Sequence, residues 1–110
     1  MQGAEARVEA AEYGRRDVML SLIAEVARSY LDLRGAQADQ ASAEGLAAAD
    51  AELARLTGLR FNAGEASRLE LDRAESAAKT SAAAVPDTRA RAAGIAYRIA
   101  TLLGLSLIHI

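Results

Sequence analysis

Apolar residues in the first half of the chain recur at helical spacing. Ile23, Val26, Tyr30 and Leu33 fall 3, 4 and 3 residues apart, and Leu46, Ala49, Leu53 and Leu56 repeat those intervals. Each set matches an a/d seam and predicts a helix packed against neighbours at a shallow angle. Leu33 and Leu46 are separated by 13 residues, one short of two heptads. That predicts a change of phase across the small and polar stretch from Arg34 to Gln40, with a rotated packing face beyond it. Further on, Leu71, Ala74, Ala78 and then Ala82 or Val85 share one helical face, and Ala92, Ile95, Ile99 and Leu102 form another seam. Pro86 removes a backbone donor and disfavours helical geometry at Val85, predicting a kink or short break over residues 85–87. No segment shows β-branched alternation, so the fold class is all-α.

Between the two helical runs lies a compact set of stop and start signals. Gly64 is suited to the left-handed conformation that ends many helices. Ser67-Arg68-Leu69-Glu70 reads as a capping box, Ser67 covering the Glu70 amide and Glu70 reaching back to the Ser67 amide. The expected architecture is a long antiparallel helical hairpin: a helix over about 4–60, a tip turn over 61–67 and a returning helix over about 68–103. At 1.5 Å per residue the first helix alone is roughly 85 Å long. One domain spanning 1–104 accounts for these elements.

Composition sharpens this picture. Alanine supplies 28 of 110 residues, and the aromatic residues are Tyr13, Tyr30, Phe61 and Tyr97. Alanine favours helix and allows close approach, yet buries little apolar area, so the chain suits helices packed in a larger bundle. Gly14, Gly35, Gly45 and Gly58 each cost about 1 kcal/mol in a helix interior, which points to close helix approach within such a bundle. A net charge of −2 with interspersed signs and no basic patch argues against nucleic-acid binding. The chain contains no cysteine, hence no disulfide, thiolate metal site or Cys nucleophile. No window reaches the ~20 apolar residues of a spanning helix, and the N-terminus is not a signal peptide. Residues 105–110, Leu-Ser-Leu-Ile-His-Ile, look like an in-frame translation of a sequencing-library adapter. On that reading the gene runs past Gly104, the chain is a fragment, and the single histidine, His109, lies in the foreign tail.

The landmarks, in this order, resemble the outer-membrane factor family of tripartite efflux systems, the TolC-like channels, and especially their lipoprotein branch. The stretch Ser21-Leu22-Ile23-Ala24-Glu25-Val26-Ala27-Arg28-Ser29-Tyr30-Leu31-Asp32-Leu33-Arg34 is similar to the family's first long tunnel helix. Arg60-Phe61-Asn62-Ala63-Gly64, followed by Ser67, Leu69 and Leu71, resembles the family's tip motif, and Tyr97 to Gly104 resembles the end of the returning helix. The resemblance implies a homotrimer whose hairpins form a hollow periplasmic tunnel in the Gram-negative envelope. It is held at the outer membrane by a β-barrel missing from this chain and by a lipid anchor. It further implies a periplasmic adaptor partner that connects to an inner-membrane pump, in a tripartite efflux pump or a type I secretion-like system, and passive export of small molecules. On this footing Arg60, Phe61, Asn62, Ala63, Gly64, Glu65, Ala66 and Ser67 are the adaptor-contact tip. Glu70 matches an acidic gate residue, with Asp72 and Arg73 as further gate candidates.

Two positions depart from the family pattern. Glu65 stands where an apolar residue, commonly Leu, follows the tip glycine, and Glu70 stands where Asp is more usual. Glu65 either weakens an apolar docking or pairs with a base on the adaptor. For Glu70, helix cap and gate remain side by side. The α-hairpin of a periplasmic adaptor is an alternative, given Arg55-Leu56, Ser67 and Glu70 to Asp72, but the chain lacks either half of a lipoyl domain. A generic structural coiled coil is a second alternative, for which the tip signature has no use. The sequence offers no catalytic residue, cofactor-binding site or metal ligand set. Glu70 and Asp72 are on different helix faces, and there is neither a phosphate-binding glycine loop nor a nucleophile with its base.

Overall fold

The structure, a computed structural model, describes residues 2–108, with the side chain of Ser106 left out. His109 therefore lies outside the described residues. Helix α1 spans Gln2–Asn62 and helix α2 spans Arg68–Ile108, and no strand occurs among the described residues. The protein is an all-α helical hairpin. Its contacts divide it into two units: Arg34–Ala93, and Met1–Leu33 with Gly94–Ile110.

Within 34–93 the two helices lie side by side in antiparallel order. Cross-links recede from the turn in step, Arg60 meeting Glu70, Ser81 meeting Asp50, Arg89 meeting Glu44 and Arg91 meeting Asp39. The covered positions on α1 are Ala36, Gln40, Ala43, Ala47, Asp50, Ala54, Thr57 and Phe61, alternately four and three apart. Those on α2 are Leu71, Ala74, Ala78, Ser81, Val85, Thr88 and Ala92, with the same alternation. This is a heptad seam, but of small and polar side chains. Leu71 and Val85 are its buried large residues, each worth about 1.5–3 kcal/mol of apolar burial. Thr57 sits buried without cost in unmet hydrogen bonds, because its hydroxyl donates to the Leu53 carbonyl at 2.7 Å.

Two sequence expectations, the phase change and the break, are corrected here. The bulky set read as packing against neighbours faces away from α2, Leu46 and Leu53 being 57% and 55% exposed and Leu56 exposed too. The phase change across 34–40 is absent, because Ala36 and Gln40 continue the 4-3 alternation. The break at 85–87 is also absent: α2 passes through Pro86 as helix, and covered positions keep their spacing across it, with Val85 rather than Ala82 on the seam. Pro86 and Ala82 lie on the exposed side, so the carbonyl that loses its donor is open to water, which lowers the usual penalty. Thr88 adds a bond nearby, donating through its hydroxyl to the Val85 carbonyl at 2.7 Å.

In the other unit, Ser29 and Ile95 are buried, while Leu22, Val26, Leu33, Ile99 and Leu102 are half-buried. Val26 and Leu33 are thus on the covered face, but Ile23 and Tyr30 turn away, 60% and 55% exposed. Every residue from Gln2 to Val18 is exposed. The glycines show no close approach within the chain at Gly14, Gly35 or Gly45, where a Cβ would meet nothing within 4 Å. Gly58 lies beside Leu71, whose Cδ1 would be 3.8 Å from an added Cβ, an ordinary contact.

Candidate functional site

The turn is built from backbone bonds outward. Gly64 adopts φ +80°, and its amide donates to the Phe61 carbonyl at 3.0 Å while the Glu65 amide donates to Arg60 at 2.8 Å. This pair is a Schellman motif with Gly64 at C′ and Glu65 at C″. Helix α2 then opens on Ser67, whose carbonyl accepts from the Leu71 amide at 3.2 Å and whose hydroxyl oxygen accepts from the Glu70 amide at 3.1 Å. Only Ala63–Ser67 intervene between the helices.

Side chains tie this turn together without burying it. A Schellman turn usually carries an apolar contact between C″ and C3, the positions held here by Glu65 and Arg60. Instead Arg60 donates through Nη2 to the Glu65 carbonyl at 3.1 Å, with Nη1 at 3.9 Å from Glu70. The capping box is therefore only half made: Ser67 caps the Glu70 amide, while the Glu70 carboxylate turns to Arg60 rather than to the Ser67 amide. Arg68 lies over the Phe61 ring, 5.6 Å from its centroid, and its Nε is 3.3 Å from Asp72. These ion pairs are about half exposed or more, so each is worth at most about 1 kcal/mol. Their value lies in holding positions.

Of the gate candidates, Glu70 and Asp72 thus both have partners within the hairpin, whereas Arg73 makes no ion pair among the described residues. The Glu65 carboxylate is likewise unpaired, although its carbonyl is held. Asn62, Ala63 and Gly64 are exposed, and Phe61 and Ala66 are half-buried.

Sequence reasoning missed the contacts between the helices. Ser81 donates to Asp50 inside the seam, Arg89 Nε donates to Glu44 at 2.8 Å, and Arg91 stands 3.7 Å from Asp39. Bonds from Arg89 first and Gln40 second hold the Glu44 carboxyl below its usual range. Counting outward from the turn pairs these positions, a signal available once the turn is located. Leu46, Ala49, Leu53 and Leu56 form an exposed 3-4-3 stripe that α2 does not cover. No group that could hold a metal ion occurs among the described residues, and no helix is long and apolar enough to cross a membrane.

The geometry is that of an antiparallel all-α hairpin with a capped, charge-tied turn and an apolar stripe that α2 leaves uncovered. The family model described as "Outer membrane efflux protein" matches residues 1–105. The chain belongs to that family, a family of outer-membrane transport proteins. Neither a curated protein nor a solved structure matches it.

Proposed function

We propose that this hairpin is part of the periplasmic tunnel wall of a trimeric outer-membrane efflux channel, and that its turn docks a periplasmic adaptor. The adaptor in turn links it to an inner-membrane pump, and a β-barrel and a lipid anchor hold the channel in the outer membrane. The observation that carries this reading is the family match over nearly the whole chain. The exposed stripe from Leu46 to Leu56 supports the wall role, since it repeats seam spacing on a face with no partner in the hairpin. The tip supports docking, since backbone bonds and the Arg60 contacts give it a defined shape before any partner arrives.

Gating on this reading is passive. Adaptor binding shifts a resting set of hairpins toward an open arrangement through a difference in affinity between the two. Glu70 is the principal latch, with Asp72 and Arg73 beside it. Because Glu70 faces Arg60 in its own hairpin at 3.9 Å, a latch between hairpins must compete with that contact. Glu70→Ala in the full-length channel should raise conductance in planar bilayers, whereas Ser67→Ala, which removes only the cap, should not. Unchanged conductance in Glu70→Ala removes the gate role and leaves Glu70 as a tie within the tip.

A further inference from the structure

One polar contact inside the hairpin seam has no part in docking or gating. Ser81 is buried, Asp50 is half-buried, and the Ser81 hydroxyl donates to the Asp50 carboxylate. Nearby seam positions are largely alanines, among them Ala43, Ala47, Ala54, Ala74 and Ala78. Alanine presents the same short side chain at every layer, so along those positions packing one heptad out of step sacrifices little apolar burial, and the seam's apolar resistance to a slip is confined to Leu71 and Val85. A polar group at a seam position discriminates where alanine does not, because an unmatched one loses solvation without gaining a partner.

The sequence separates the competing registers. Sliding α2 by one heptad in one direction sets Asp50 against Ala74 and Glu44 against Ala82, and both contacts are lost. Sliding it the other way sets Asp50 against Thr88 and Asp39 against Arg98, which keep a hydroxyl and a guanidinium, but leaves Glu44 against Ala96. Asp50 thus rejects the first slip, and Glu44 with Arg89 rejects the second. Neither contact alone rejects both. We propose that Asp50–Ser81 and Glu44–Arg89 act together as a register lock, which holds the tip at one height along the hairpin. This inference goes beyond the docking reading and stands without it.

Gly64 and Ser67 also constrain the register, so the test weakens the turn first. In the full-length protein carrying Gly64→Ala, spin labels are placed on cysteines introduced at Glu52 and Lys79, both exposed. Their separation is read by pulsed electron paramagnetic resonance. A one-heptad slip moves one helix past the other by about 10 Å. Gly64→Ala alone should keep a single distance, because the lock persists. Adding Glu44→Ala, a surface change that leaves the seam intact, should introduce a second, slipped distance. Adding Thr88→Ala as well should abolish it, because Asp50 then has no partner in the slipped register. A second distance already present in Gly64→Ala alone overturns the proposal, since the turn then does the work. A single distance throughout, or loss of helical circular dichroism without a second ordered distance, overturns it equally.

Discussion

Replacing Gly64 by alanine isolates the turn from everything that packs around it. Gly64 holds φ +80°, and an added Cβ would meet nothing within 4 Å. Steric crowding by neighbours is therefore absent, and the cost is the backbone strain of an L residue in left-handed geometry, about 1–2 kcal/mol. Gly45 supplies the matched control, since it lies inside α1 and its Cβ would also meet nothing. There alanine should stabilise by about 1 kcal/mol through helix propensity. The same substitution is thus expected to act with opposite sign at two open sites. Hydrogen exchange on peptides spanning residues 58–70 reads the effect locally, because the Gly64 and Glu65 amides are protected by their bonds to Phe61 and Arg60. A loss of 1–2 kcal/mol accelerates their exchange roughly 5- to 30-fold. Unchanged exchange in Gly64→Ala, or equal damage from Gly45→Ala, would refute the Schellman account of the turn.

Three further outcomes follow from particular residues. Pro86→Ala should stabilise α2 by about 1–3 kcal/mol, since it restores an amide donor to Ala82 on an exposed face; a lower melting temperature would show that the proline contributes through the unfolded chain instead. Glu65→Leu should tighten adaptor binding, measured by surface plasmon resonance with full-length channel, if the apolar C″ contact of a Schellman turn is what the docking surface lacks. Weaker binding would mean that the unpaired carboxylate meets a base on the partner. Acidification should loosen the hairpin through Glu44, whose carboxyl is held below its usual value near 4.5. A group depressed in the folded state stabilises at neutral pH and ceases to as pH falls through its folded value. Glu44→Gln should therefore flatten the acid limb of a thermal-stability profile, and an unaltered limb would discount the Arg89 bond.

The turn was legible in the sequence because its signals are local. Gly64 and Ser67 act through their own backbone and immediate neighbours, and no knowledge of the partner helix is needed to read them. The seam was not legible in the same way. In an alanine-rich helix several faces satisfy a 3-4 alternation at once, and side-chain size does not say which of them meets the other helix. Leu46, Leu53 and Leu56 read as a face packed against neighbours because they are large, whereas the hairpin itself closes on Ala43, Ala47, Asp50 and Ala54. Pro86 misled for a related reason. Its penalty depends on which face it occupies, and that face is set by the seam.

The same inversion of size and burial says where the stability of this element resides. No side chain among the described residues is completely buried, while Leu46, Leu53 and many other large apolar residues remain exposed. Apolar burial scales with area, so the seam between α1 and α2 uses little of the chain's hydrophobic capacity and the outward stripe retains much of it. Register is consequently left to polar contacts such as Asp50–Ser81, and lateral stability to whatever covers the stripe. The tip is built differently. Its order comes from the bonds of Gly64 to Phe61 and of Glu65 to Arg60, and from those that Ser67 accepts from Glu70 and Leu71, none of which requires a neighbour. A tip that keeps its shape independently of its arms is the division of labour that the proposed docking at one end and the proposed wall-packing along the rest require.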